Sequence, residues 1–247
     1  MSAALANTGV PLVSRFAGAK RMAQRWASTE NVLVSLALGV MVVLPLAEAV
    51  LRRTLHVSIP GSITIVQHLV LIVGMLGGAI AAREKRLLCL SNFAESKLRG
   101  RLKNISGIFS GAVSAIVCGF LSIAAAQFVA TEREAATVFV LGIPLWLVEY
   151  VLPLGFAIIA LRILWQTSEK WAARSAALAL TALFAILVWQ WPGTGHYFAL
   201  LAMAILFLAS LLGAPALVTL GGAALILFWG VEQPIASIPI AHYATMA

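Results

Sequence analysis

Five side chains able to do chemistry lie within otherwise apolar stretches: Glu48, Gln67, His68, Gln127 and Glu149. Polar groups are costly in hydrocarbon and tend to mark functional positions. Glu48 and Arg52 are spaced i,i+4, so they can pair along one helix. Glu149 stands near Trp146 and Tyr150, residue types that suit a membrane interface. A pair between Glu149 and Arg52 or Arg53 would pin the first apolar stretch to the fourth; solvated contacts with lipid headgroups are the alternative. His68 could carry a proton, but a lone imidazole beside Gln67 more often makes an interhelical hydrogen bond.

Other chemistries find little support. All nine acidic residues are Glu, which removes metal sites and catalytic dyads built on Asp. A membrane haem needs a second axial ligand within the bilayer, and His56, His196 and His242 read as loop or tail residues. There is no G-x-S-x-G motif and no Asp pair to supply intramembrane proteolysis. Cys89 and Cys118 are too few and too scattered for a disulfide framework or a zinc site, so two free thiols are expected. No catalytic residue, metal site or cofactor is assigned. Gly74, Gly77, Gly78 and Ala79, and the pair Gly221 and Gly222, read as faces for close helix contact.

The elements that must position these residues are membrane spans. Of the 247 residues, 62% are hydrophobic and only 11% charged, well below the roughly 25% typical of soluble domains. A span needs about 20 apolar residues. Four long runs qualify: Asn31 to Leu51, Ser62 to Ala82, Ile105 to Ala130 and Pro144 to Trp165. A fifth runs from about Ala172 to Trp191, and two shorter ones follow, Tyr197 to Leu212 and Pro215 to Val231. The last two read as crossings, with a hairpin dipping into the membrane as the alternative. Ala47 to Ala49 has the form of a cleavage site, but the first run is too long for a signal-peptide core; it reads as an uncleaved span.

Charge sets the orientation. Seven cations, Arg83, Lys85, Arg86, Lys97, Arg99, Arg101 and Lys103, sit between the second and third spans. Basic segments beside spans stay on the cytoplasmic side. Arg15, Lys20, Arg21 and Arg25, then Arg162, Lys170 and Arg174, fall on that side too, against Arg52, Arg53 and Arg133 opposite. The expected topology has the N-terminus inside and Ala247 outside, after seven crossings. Leu87, Leu90, Ala94, Leu98 and Leu102 follow helical spacing, so the basic segment is expected as a helix lying in the interface, weakened by Gly100, with a solvated basic loop as the alternative. The net charge of +8 is explained by lipid headgroups rather than nucleic acid.

Certain runs carry a resemblance. Ala79–Leu88, following His68–Leu71, resembles the end of the second span in small (Q-type, DctQ-like) membrane subunits of tripartite ATP-independent periplasmic (TRAP) transporters. Leu141–Phe156 resembles that subunit's last span. Leu87 and Leu88 stand where many members have a His-Ile pair, which is more like the fused branch of the family. Gly213–Phe228 and Pro234–Pro239 are similar to the start of the large (M-type, DctM-like) subunit. The resemblance implies an all-α bacterial inner-membrane scaffold. Its parts would be a basic cytoplasmic N-terminus (1–30), a Q-like four-helix domain (31–167), a linker with a connecting helix (168–196) and a truncated M-like start (197–247). It implies sodium-coupled uptake of organic acids delivered by a periplasmic binding protein, with a large membrane subunit as partner. The family's substrate and sodium sites belong to parts beyond this chain, so no such residue is assigned. Arg52, Arg53, His68, Arg83, Arg86, Pro144, Trp146, Glu149 and Pro153 are structural or interfacial candidates. A membrane enzyme or electron-carrier subunit, and an adaptor without transport, are the alternatives.

Overall fold

A computed structural model describes residues 12–59, 61–89, 99–135, 142–166 and 195–230, with positions 175 and 179. Side chains are described from Trp26 in the first helix and from Phe198 in the sixth. The elements are all helices: α1 Leu12–Thr54, α2 Ser62–Arg83, α3 Arg101–Ala135, α4 Leu145–Glu149, α5 Val151–Gln166, α6 Gly195–Leu211 and α7 Ala216–Gly230. The expected span from Ala172 to Trp191, residues 90–98 of the basic segment and the tail from Val231 lie outside the described residues.

Four helical stretches are long and apolar enough to cross a membrane: Trp26–Thr54, Ser62–Arg83, Arg101–Ala135 and Leu145–Gln166. The first four expected spans fall on them. α1 has 43 residues, about 64 Å at 1.5 Å per residue, so it extends well past a bilayer core of about 30 Å. It continues through Pro45, which removes one backbone donor. The apolar parts of α6 and α7 are shorter, so among the described residues the expected crossings are represented by four helices of sufficient length and a short pair.

α3 is the central pillar. Half of its apolar window is buried, against 6% of that in α1. It packs on α4, α5, α6 and α7, while α1 packs chiefly on α2. Val113, Val117 and Cys118 of α3 share a core with Ala79 and Ala82 of α2, Ile159 of α5, Leu206 and Ala209 of α6, and Val218 of α7. The last helix pair therefore shares its core with the four long helices.

Glycine permits two of these contacts. A β-carbon on Gly155 would lie 2.4 Å from the Met75 methyl, and one on Gly221 would lie 2.8 Å from a Leu121 methyl. Gly78 and Gly222 are also at close contacts, whereas Gly74 and Gly77 have nothing within 4 Å. The expected packing face of α2 is thus real at Gly78 and Ala79 only, and Gly155 is its counterpart on α5.

The basic segment departs from expectation where it is described. Lys85 takes a left-handed φ of 56°, and Arg86 N–H donates to the Ala81 carbonyl at 2.9 Å, a Schellman closure of α2. Leu87 and Leu88 are therefore not helical. The chain turns back to the tip of the last helix pair, where Ala216 N–H donates to Leu88 O at 2.8 Å and Cys89 pairs with Pro215. Helix α6 closes like α2: Gly213 has φ 98°, and Ala214 N–H donates to Ala209 O at 2.9 Å.

Candidate functional site

The strongest polar constellation joins three helices at the basic end of the bundle. Glu30 of α1 accepts a hydrogen bond from Arg83 of α2 at 2.7 Å and another from Arg162 of α5. Arg162 also donates to the Ala79 carbonyl at 2.6 Å. Gln166 Nε2 donates to Arg83 O at 3.1 Å, and Arg83 reaches Asn31 and Glu84 at 3.3 Å each. The three charged side chains are largely enclosed, at 13% exposed for Glu30, 25% for Arg83 and 22% for Arg162. The Glu30 carboxylate lies between two guanidiniums, and Glu84 at the rim brings this clasp to charge balance. Charge-assisted bonds of this kind are roughly twice as strong as neutral ones.

A second contact closes the other end of the α1–α2 hairpin. Glu48 accepts from Arg52 at 2.6 Å and from the Ser62 hydroxyl, at the first residue of α2. Glu30 and Glu48 are about 27 Å apart along α1 by its helical rise, close to the thickness of a hydrocarbon core. The hairpin is thus fastened at both ends, with apolar contact between.

The pairing of Glu149 with Arg52 or Arg53, one of the two readings raised by the sequence, does not form. Arg52 is taken by Glu48, Arg53 is exposed, and α4, which carries Glu149, packs on α3 and α5. Glu149 is 1% exposed. Near it, Trp146 and Tyr150 meet edge to face with centroids 5.9 Å apart, and the Arg133 guanidinium lies 5.6 Å from the Trp146 ring centroid. Pro144 precedes α4 as its N-cap residue. Pro153 is buried, and its carbonyl accepts from Ser122 of α3 at 2.8 Å.

His68 is buried, with Nδ1 2.8 Å from the Thr64 carbonyl one turn back on its own helix. Gln67, Gln127 and Arg86 are exposed. His196 belongs to the first turn of α6 rather than to a loop, and His242 lies outside the described residues. Cys89 and Cys118 are not joined in a disulfide. Among the described residues no group of three or more His, Cys or acidic side chains could hold a metal ion.

The clasp thus unites Arg83, a candidate from sequence, with Glu30 and Arg162, which sequence reading had used only as a boundary and as topological charge. The signal was present. Glu30 is the sole acid before the first span, and Arg162 is a cation within the last turns of the fourth. Neither fact names a partner, because pairing across 132 residues is set by the tertiary fold.

A family model described as "Tripartite ATP-independent periplasmic transporters, DctQ component" matches residues 41–173, more than half of the chain. No curated protein and no solved structure matches. The match takes in Arg83, Glu149 and Arg162; Glu30 and the α6–α7 pair fall outside it.

Proposed function

The chain belongs to the DctQ component family of tripartite ATP-independent periplasmic transporters, and on that premise we propose that it is the rigid membrane scaffold of such a transporter. The observation that supports this reading most is the Glu30–Arg83–Arg162 clasp. A component that holds a moving partner steady needs helices that do not slide, and the clasp fastens α1, α2 and α5 to one another. Glu30, Arg83 and Arg162 are engaged in helix-to-helix contacts, which suits support rather than turnover.

In this reading the clasp end is cytoplasmic, because Lys85, Arg86, Arg99, Arg101 and Lys103 lie exposed beside it and cationic flanks resist translocation. A large DctM-type subunit carries the transport sites, and a periplasmic binding protein delivers the substrate. Organic acids are the proposed substrates and sodium the coupling ion, both on the family's resemblance alone. The α6–α7 pair would then be either an extension of the scaffold or the start of a fused large subunit. Its shared core with α3 favours the extension.

Reconstitution tests the reading. Proteoliposomes holding this chain with a DctM-type subunit, supplied with the binding protein and a sodium gradient, are expected to take up a labelled carboxylate. Omitting this chain should abolish uptake. Equal uptake without it would reject the scaffold role, and failure to co-purify with any large subunit would favour an adaptor.

A further inference from the structure

Glu149 remains unexplained by a scaffold of paired charges. Its side chain is 1% exposed, and Oε2 has no hydrogen-bond partner. The end of α3, on which α4 packs, carries a further carboxylate, Glu132, which is half-buried. Other charged groups nearby are committed or exposed. On α3, Arg133 lies over the Trp146 ring and Glu134 is exposed; Tyr150, which follows α4, is exposed as well. On α5 the cation is Arg162, bound to Glu30 and Ala79 O in the clasp. No ion pair to Glu149 forms among the described residues.

The backbone adds to this imbalance. α4 ends at Glu149 and α5 begins at Val151. Pro153 has no N–H, so the Glu149 carbonyl lacks its usual i+4 donor. Tyr150 stays helical, its N–H on Trp146 O and its carbonyl on Leu154 N–H, so the junction leaves one carbonyl, that of Glu149, without its helical donor and offers no compensating cation. An ionised carboxylate in such a place carries an uncompensated buried charge, which groups in proteins escape by neutralising. A carboxylic acid, by contrast, brings a hydroxyl donor to a place short of donors.

We propose that Glu149, at the α4–α5 break, is a proton-binding site of the folded protein. The bound proton holds the carboxyl neutral and keeps α4 closed on α3; its loss would drive Glu149 towards water and loosen the break. The site is independent of what the transporter carries and goes beyond the scaffold role.

Infrared spectroscopy of the protein in bilayers tests this directly. The chain has no Asp and nine Glu, so its carboxyl region is sparse. The wild type at neutral pH is expected to show a protonated-carboxyl stretch that vanishes in Glu149→Gln and on unfolding. If that variant fails to fold, loss of the band on unfolding the wild type carries the test. Stability gives a second readout. The folded chain would hold one more proton than the unfolded chain, so wild-type stability should fall as pH rises. In Glu149→Gln that slope should be smaller, and stability at neutral pH equal or higher. Absence of the band, its persistence in Glu149→Gln, or a less stable variant with an unchanged slope would overturn the proposal.

Discussion

Arg162 on α5 donates to Glu30 on α1 and, through its other terminal nitrogen, to the Ala79 carbonyl on α2. One guanidinium thereby ties three helices, and Arg83 shares the same carboxylate. Replacing Glu30 by Gln would leave Arg162 without its counter-charge and Arg83 with Glu84 alone. Bonds to charged groups contribute about 1.5–3 kcal/mol; with the group 13% exposed, a loss of about 1–3 kcal/mol is expected. Thermal unfolding in nanodiscs should show a lower midpoint. A double-mutant cycle with Arg162→Gln should show coupling of at least about 0.5 kcal/mol, the threshold that separates contact from independence. Strict additivity would mean that the pair contributes little.

The α2–α5 crossing depends on a missing side chain. A β-carbon on Gly155 would stand 2.4 Å from the Met75 methyl and 3.0 Å from its β-carbon. The methyl can swing away, but the β-carbon cannot without moving a helix. Gly155→Ala should therefore cost about 1–3 kcal/mol, the usual range for overpacking. Met75→Ala removes the flexible obstacle and leaves the other, so it should rescue Gly155→Ala in part. Full rescue would show that only the methyl matters, and no rescue would place the strain elsewhere.

Much of this architecture was legible in sequence because spans obey length and hydropathy, which are local. Ser62 and Gln166 bound helices close to where apolar runs begin and end. The Glu48–Arg52 pair was also legible, since its spacing is a property of one helix. Two kinds of feature were not. Glu30–Arg162 and Met75–Gly155 depend on which helices become neighbours, and spacing along the chain carries no such information. The fold-back after α2 was hidden because Leu87, Leu90 and Leu98 keep a helical period, while the deciding events are a left-handed Lys85 and an acceptor, Leu88 O, taken by Ala216. Glu149 was noticed for its type and tried against Arg52 and Arg53; its burial depends on how α4 packs on α3, which spacing along the chain does not carry.

The left-handed Lys85 yields a prediction of opposite sign. Its φ of 56° costs an L-residue about 1–2 kcal/mol, and glycine takes it freely. Its own side chain is exposed. Lys85→Gly should therefore be neutral or stabilising by up to about 1 kcal/mol, whereas Lys85→Val should destabilise. Chemical or thermal unfolding of both variants checks the order. A stabilising Val variant would contradict the turn.

Thiol chemistry reports on the latch between the α2 fold-back and the helix-pair tip. Cys118 is 0% exposed in the shared core, and Cys89 is half-buried with Sγ 3.1 Å from Gly213 O. A maleimide should therefore modify Cys89 first, and Cys118 only on unfolding. Gly213 has φ 98°, a conformation that a β-branched residue resists. Gly213→Val should spoil the closure of α6, release Cys89 and raise its labelling rate several-fold, with Cys118 still protected by the core if the helix pair stays docked on α3. Simultaneous exposure of both thiols would mean that the tip and the core open as one unit, and an unchanged Cys89 rate would mean that the tip does not shield it.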